Sequence, residues 1–186
     1  MAHYESLDPA VAVEEETLRD YKVEDFYPVR LGDVFQERYS VIGKLGYGSA
    51  STVWLCRDLR GEQTYVALKV YINRSKVHRE LPLYDHINSL DPQAAGFDCI
   101  RRLLDSFEIS GPNGNHICLV HQALGMDFHE VRQLTRNKML DPELVRPSFR
   151  NVARGLYFLH TTANVIHTGK QFALHSDFSS SNATAR

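Results

Sequence analysis

The fold is decided by a glycine-containing stretch and the apolar run that follows it, Ile42-Gly43-Lys44-Leu45-Gly46-Tyr47-Gly48-Ser49-Ala50-Ser51-Thr52-Val53-Trp54-Leu55-Cys56 and Val66-Ala67-Leu68-Lys69-Val70. Gly46 and Gly48 carry no β-carbon, so the main chain between two paired strands can lie close to a phosphate and direct N–H groups toward it. Val53 follows the turn as an apolar residue. Lys69 lies at a position from which its ammonium group can reach a ligand bound under the turn. The pattern predicts a binding site for a nucleoside triphosphate. The alternative is an ordinary β-hairpin with a surface lysine.

The composition is typical of a globular protein. The 186 residues are 43% apolar and 24% charged, with a formal net charge of −2. This balance gives no basic field, so no direct nucleic-acid partner is predicted. Cys56, Cys99 and Cys118 are widely spaced, which favours reduced thiols and a location in the cytoplasm or nucleus. The first twenty residues contain Glu14-Glu15-Glu16 and no apolar core, so we expect no signal peptide and no membrane partner.

The order of strand and helix signals predicts an α+β fold. An antiparallel sheet of five strands with one helix is expected first, and further helices follow. The helix should begin near Glu80 and Pro82, since a proline in the helix interior would remove a hydrogen bond and kink the backbone. A long amphipathic helix is predicted from Asp141 to His160. The predicted strands are Arg38–Leu45, Thr52–Arg57, Tyr65–Tyr71, Cys99–Ile109 and His116–Val120.

Over Asp20 to Ile166 the motifs resemble those of eukaryotic protein kinases, and more narrowly the SR-protein kinase family as found in fungi. That family also has serine in place of the third glycine, so Ser51 fits the resemblance. The resemblance implies a kinase N-terminal lobe over residues 21–120, a hinge over 121–126 and part of a C-terminal lobe over 127–186. An acidic lead-in over 1–20 is expected to be disordered. The motifs that carry the resemblance are Phe26-Tyr27-Pro28-Val29-Arg30-Leu31-Gly32-Asp33-Val34-Phe35, Lys44 to Leu55, Val66 to Val70, Leu103-Leu104-Asp105-Ser106-Phe107 and His116 to Val120.

The resemblance implies ATP and Mg²⁺ as cofactors and phosphorylation of serine in a protein substrate, often an Arg/Ser-rich splicing factor. Lys69 would pair with the α and β phosphates, and Glu80 would hold this lysine in place. The alternative for Glu80 is a solvated helix acid. Backbone groups of Gln122 and Leu124 would bind the adenine edge, whereas His121 is expected to be a partly buried polar residue and no metal ligand. The other nucleotide-binding residues implied are Leu45, Gly46, Tyr47, Gly48, Ser49, Ala50, Ser51, Val53 and Ala67.

The catalytic loop departs from the family pattern. Gly169 stands where the family has its catalytic aspartate, and glycine cannot accept a proton. Eight residues later, Asp177 and Asn182 have the correct spacing, and we hypothesise that an insertion displaces them. Asp177 would then be the catalytic acid of the loop, and Asn182 its metal-binding amide. The alternatives are a chance match in a serine-rich tail and unspliced sequence within Gly169 to Arg186, which sequencing of the transcript would decide.

The activity expected of the chain as written is weak or absent. No Asp-Phe-Gly segment follows the loop, and loss of a general base alone costs about 10² to 10⁴ in rate. A non-catalytic, pseudokinase-like module that binds nucleotide or a protein partner is therefore the competing interpretation. A truncated product without a stable fold is the third.

Overall fold

The computed structural model describes residues 11–61, 64–75, 80–167 and 183–185. The chain divides into two compact units. The first comprises residues 1–75 and 106–120, and the second comprises residues 76–105 and 121–186. Among the described residues, no helix is long and apolar enough to cross a membrane.

An antiparallel sheet dominates the described part of the chain. Its strands are β1 (Val34–Phe35), β2 (Tyr39–Gly48), β3 (Ser51–Asp58), β4 (Tyr65–Tyr71), β5 (Leu103–Gly111) and β6 (Gly114–Gln122). Their order in the sheet is β1-β2-β3-β4-β6-β5, in which β2, β3 and β4 form a meander. The combination of this sheet with the three described helices confirms the α+β class.

The sheet has six strands where the sequence predicted five. The additional strand is β1, which pairs with β2 through Val34↔Ser40 and Phe35↔Tyr39 and forms an edge of the sheet. Two residues are too few to show an alternating pattern, so sequence periodicity could not reveal this strand. The fourth predicted strand also begins later than expected, because Phe97–Cys99 forms a turn of 3₁₀ helix.

Alternate residues of the central strands build the core of the first unit. Val66, Leu68 and Val70 of β4 are each at most 2% exposed, and they pack with Trp54 and Cys56 of β3. Burial raises the pKa of the Cys56 thiol to about 12 and raises that of Cys118 still further. Both thiols therefore stay protonated and act as small apolar groups.

The acidic lead-in is partly ordered, which differs from the disorder expected over residues 1–20. Glu14–Thr17 forms a turn of 3₁₀ helix. The carboxylates of Glu14 and Glu15 accept hydrogen bonds from the Lys44 Nζ on β2. Charge pairing across thirty positions of sequence therefore holds the turn in place, and composition alone does not reveal such a contact.

Three helices belong to the second unit: α1 (Leu81–Ser89), α2 (Phe128–Leu134) and α3 (Pro142–Thr161). Asp127 and Asp141 cap α2 and α3 by accepting backbone N–H hydrogen bonds, as their residue types predict. Phe158 of α3 is fully buried in a core with Ile87 and Phe97. A short pair of strands, β7 (Val165–His167) and β8 (Ala183–Ala185), follows α3.

The end of the β2–β3 hairpin distant from the glycine turn is closed by an ion pair. Arg38 donates two hydrogen bonds to Asp58, Nε to Oδ1 at 2.8 Å and Nη2 to Oδ2 at 2.7 Å. These bonds hold the pKa of the Asp58 carboxyl below its usual range. Burial of the carboxyl raises this pKa, and a hydrogen bond from the Arg60 N–H lowers it. The Asp58 side chain is 8% exposed. It therefore gains more from its partner than a solvated carboxylate would.

Asp58→Asn should lower the free energy of unfolding by about 1.5–3 kcal/mol at pH 7, since the charged partner of Arg38 is lost. A depressed native pKa gives stability that is present above the unfolded pKa of about 3.9 and is lost as the pH falls through the native value. The difference between variant and wild type should therefore shrink below about pH 4. Urea unfolding followed by Trp54 fluorescence measures it, with Asp20→Asn as the exposed control. An equal difference at pH 7 and pH 3 would contradict this account.

Candidate nucleotide-binding site

The glycine turn is a tight hairpin tip. Gly48 pairs with Ser51, so Ser49 and Ala50 alone connect β2 to β3. The Ala50 carbonyl accepts a hydrogen bond from the Ile72 N–H at 3.0 Å, which ties the tip to the end of β4. Tyr47 is 45% exposed. The turn is thus tied to β4 at Ala50 and exposed to solvent at Tyr47.

The space around Gly46 and Gly48 is open. A β-carbon built on either residue would have no atom within 4 Å, and neither residue has a positive φ. The packing and backbone of the protein itself therefore do not require glycine at these two positions. A group lying directly against the main chain would require it, and a phosphate held by backbone N–H groups is such a group.

Three strands place the predicted residues in one row. Gly46 of β2 pairs with Val53 of β3, and Val53 pairs with Lys69 of β4. Residues directly opposed on neighbouring strands project to the same face of a sheet. Ala67 lies two residues before Lys69 and is 2% exposed, so it shares that face. The first unit thus combines an open glycine turn, two apolar side chains and a lysine.

Lys69 is a buried cation. Its residue is 7% exposed, and its Nζ lies 4.7 Å from the centroid of the Tyr71 ring. Transfer of an ammonium group from water into a protein interior is costly without compensating partners. A bound phosphate on the same face would add such a partner, which makes Lys69 suited to an anionic ligand.

Gly48→Ala tests whether the open space serves a ligand. Because no atom lies near the added methyl and φ is not positive, the free energy of unfolding should stay within about 0.5 kcal/mol of wild type or rise slightly. The methyl group should nevertheless obstruct a phosphate and weaken ATP binding by about tenfold. Thermal unfolding with and without ATP measures both. Gly43→Ala, with no atom within 4 Å of its own added methyl, is the matched control. Unchanged ATP affinity in Gly48→Ala would contradict a phosphate site here.

The second unit holds the remaining predicted residues. Glu80 directly precedes α1, Gln122 ends β6, and Leu124 is 46% exposed in the segment that follows. The pairing of Glu80 with Lys69 and the adenine contacts of Gln122 and Leu124 stay predictions. Asp177 and Asn182 lie outside the described residues.

Arg101 contacts the predicted adenine-binding residue Gln122, and the sequence did not reveal this contact. Its Nη2 donates a hydrogen bond to the Gln122 carbonyl at 3.1 Å. Burial raises the pKa of the nearby Tyr84 to about 12, with the Glu80 carboxylate adding to the rise and Arg101 opposing it. Arg101 stands outside every motif of the resemblance, so sequence patterns gave no signal for it.

His121 is more deeply buried than predicted. It is 1% exposed, its Nδ1 donates to the Arg102 carbonyl at 3.1 Å, and its ring lies 5.3 Å from that of Tyr84. The described residues contain no group of three or more His, Cys, Asp or Glu side chains arranged to hold a metal ion.

An antiparallel sheet with a glycine turn between two strands and a buried lysine on the third is the architecture of a protein kinase N-terminal lobe. The helices of the second unit are consistent with part of a C-terminal lobe. The fold and the site thus match the N-terminal lobe and part of the C-terminal lobe of a protein kinase.

Comparison with known proteins agrees. The chain is 39% identical over 167 residues to a serine/threonine protein kinase of Aspergillus fumigatus, a match that covers 90% of the chain and 42% of that protein. It is 36% identical over 159 residues to the serine/threonine-protein kinase SRPK of Physarum polycephalum, covering 83% of the chain and 37% of the relative. It is 37% identical over 159 residues to SRSF protein kinase 3 of Mus musculus, a match that covers 83% of the chain and 28% of that protein.

The chain belongs to the SR-protein-kinase-like family of serine/threonine kinases, which confirms the resemblance seen in its motifs. It spans less than half the length of these three relatives. No family model matches it.

Proposed function

We propose that this chain binds ATP through the Gly46–Lys69 region and forms part of a serine/threonine protein kinase. The observation that carries the proposal is the row Gly46, Val53 and Lys69. This row runs across β2, β3 and β4 and includes a residue of the open glycine turn and a buried lysine. The kinases among its relatives support the same function.

Each residue of the row has a distinct role. The N–H groups near Gly46 and Gly48 donate to phosphate oxygens, and the Lys69 ammonium neutralises their charge. Val53 and Ala67 offer apolar contact to a purine ring. When bound, ATP would supply the phosphoryl group for a serine hydroxyl, and Mg²⁺ would supply neutralising charge at the phosphates.

The proposed substrates are serines of proteins, Arg/Ser-rich splicing factors among them. The support is the sequence similarity of the chain to relatives such as SRSF protein kinase 3 of Mus musculus. Asp177 is the proposed base for the serine hydroxyl and Asn182 the proposed metal-binding amide, on the spacing between them.

A non-catalytic nucleotide-binding module is the second candidate. The observation that favours it is Gly169, which stands at the family position of the catalytic aspartate. Under this alternative, the glycine turn and Lys69 bind ATP and no phosphate is transferred.

Two assays on the full chain separate the candidates. ATP binding is measured first, by the shift in melting temperature, and phosphorylation of an Arg/Ser peptide is measured second with Asp177→Asn as the comparison. Binding with peptide phosphorylation that Asp177→Asn abolishes supports the kinase. Binding without phosphorylation supports the module, and absence of ATP binding contradicts both.

A further inference from the structure

The acidic turn Glu14–Thr17 is attached to the strand that carries the glycine turn. The Lys44 Nζ donates hydrogen bonds to the carboxylates of Glu14 and Glu15. The side chains of Lys44 and Glu15 are only 20% and 15% exposed. An ion pair sheltered to this degree is screened by salt and water less than a fully exposed pair.

Lys44 also contacts aromatic rings on both strands of the hairpin. Its Nζ lies 5.5 Å from the Trp54 ring and 5.9 Å from the Tyr47 ring, distances at which a cation is attracted to a ring face. Trp54 is the partner of Lys44 on β3, and Tyr47 stands between Gly46 and Gly48. The ammonium group therefore connects the acidic turn to the core and to the glycine turn.

The backbone next to Lys44 is irregular. The register of β2 against β3 shifts between Lys44 and Gly46, so Leu45 is an extra residue in the ladder. Such a bulge interrupts the regular hydrogen bonds and bends the strand. Side-chain contacts at Lys44 consequently have more influence on the direction of the glycine turn than they would in a regular ladder.

The carboxylates of the acidic turn affect two neighbouring ionisable side chains of the first unit. Burial raises the pKa of the Tyr21 hydroxyl, and the nearby carboxylates of Glu16 and Glu15 raise it further. Burial would lower the pKa of Lys44, but its hydrogen bonds to Glu14 and Glu15 outweigh burial and raise it. Lys44 thus remains charged at neutral pH and keeps its hydrogen bonds to the acidic turn.

We propose that the segment Glu14–Thr17 acts as a strap that holds the glycine turn in position for the nucleotide, with Glu14, Glu15 and Lys44 as positioning residues. This inference rests on the proposed binding of ATP. Coupling between two sites is reciprocal, so a strap that favours ATP binding must itself be stabilised when ATP binds.

The first experiment removes the charges of the strap. Glu14→Gln combined with Glu15→Gln should weaken binding of a fluorescent ATP analogue by about three- to tenfold, the range for one sheltered ion pair with Glu15 and one more exposed pair with Glu14. Glu24→Gln combined with Glu37→Gln makes the same change in net charge on exposed acids outside the Lys44 contact and should leave binding unchanged. Reversal of all three charges, Lys44→Glu with Glu14→Lys and Glu15→Lys, should restore much of the affinity.

The second experiment measures the reciprocal effect on the wild-type chain, so it is decisive even where a variant folds poorly. A glutamate-specific protease should cleave at Glu14–Glu16 more slowly when MgATP is present. Equal affinity in the strap variant, with cleavage unaffected by MgATP, would overturn the strap and leave ATP binding intact. A wild-type chain that binds no ATP would overturn both proposals.

Discussion

Replacing Lys69 with methionine is expected to weaken ATP binding by about ten- to hundredfold. A charge-assisted hydrogen bond to phosphate contributes about 1.5–3 kcal/mol, which corresponds to this range of affinity. Methionine has nearly the shape of lysine, and Lys69 is 7% exposed. The substitution therefore removes the charge while it keeps most of the buried side-chain volume.

Two separate measurements distinguish a loss of ATP binding in Lys69→Met from a loss of stability. ATP affinity is measured by calorimetric titration, and stability by urea unfolding followed by Trp54 fluorescence. Lys22→Met, at an exposed position of the same unit, is the control and should change neither quantity. Unaltered ATP affinity in Lys69→Met would contradict the assigned role, as would a loss of binding that merely follows a loss of stability.

Replacing Gly96 with alanine is expected to lower the stability of the second unit by about 3 kcal/mol or more. Gly96 has φ +89, where an L residue is strained by about 1–3 kcal/mol. An added β-carbon would lie 2.1 Å from the Arg154 carbonyl oxygen and 3.1 Å from the Phe158 Cβ. Because Phe158 is fully buried against Phe97, α3 could move aside only by opening the core.

Circular dichroism of the helices measures the effect of Gly96→Ala, because α1, α2 and α3 all belong to the second unit. The helical signal should be lost at a much lower urea concentration than in wild type. Gly125→Ala is the matched control in the same unit, with no atom within 4 Å of its added methyl and no positive φ. It should unfold close to wild type. Equal midpoints for the two variants would show that the close approach of Gly96 to α3 has no energetic consequence.

The parts of the fold that sequence predicted are those set by local patterns. The alternation of Val66, Leu68 and Val70 identifies β4, and the cap Asp141 locates the start of the longest described helix. The connection through Ser49 and Ala50 follows from the glycines around it. Each of these features depends on residues within a few positions of one another.

The features that sequence missed depend on residues far apart in the chain. The contact of Lys44 with Glu14 joins positions thirty residues apart, and the bond from Arg101 to the Gln122 carbonyl joins positions twenty-one apart. Neither pair has a spacing that marks it out. Strand β1 was missed for another reason, since its two residues are too short to show periodicity.

Within the candidate site, sequence predicted the residue types and the structure of the first unit added their alignment. The motif predicts that Gly46 and Lys69 serve one ligand, but only the strand register places them in a row with Val53 between them. The open space at Gly46 and Gly48 is likewise a property of three-dimensional packing. Asp177 and Asn182 stay predictions from spacing.

The most direct test of the account is a titration of the isotopically labelled chain with MgATP, observed through its backbone amide resonances. The account predicts that the amides of Gly46 and Gly48 shift strongly with MgATP and little with adenosine, which has no phosphates. Large shifts at these amides that adenosine reproduces, or no shift there at saturating MgATP, would contradict a phosphate site at the glycine turn.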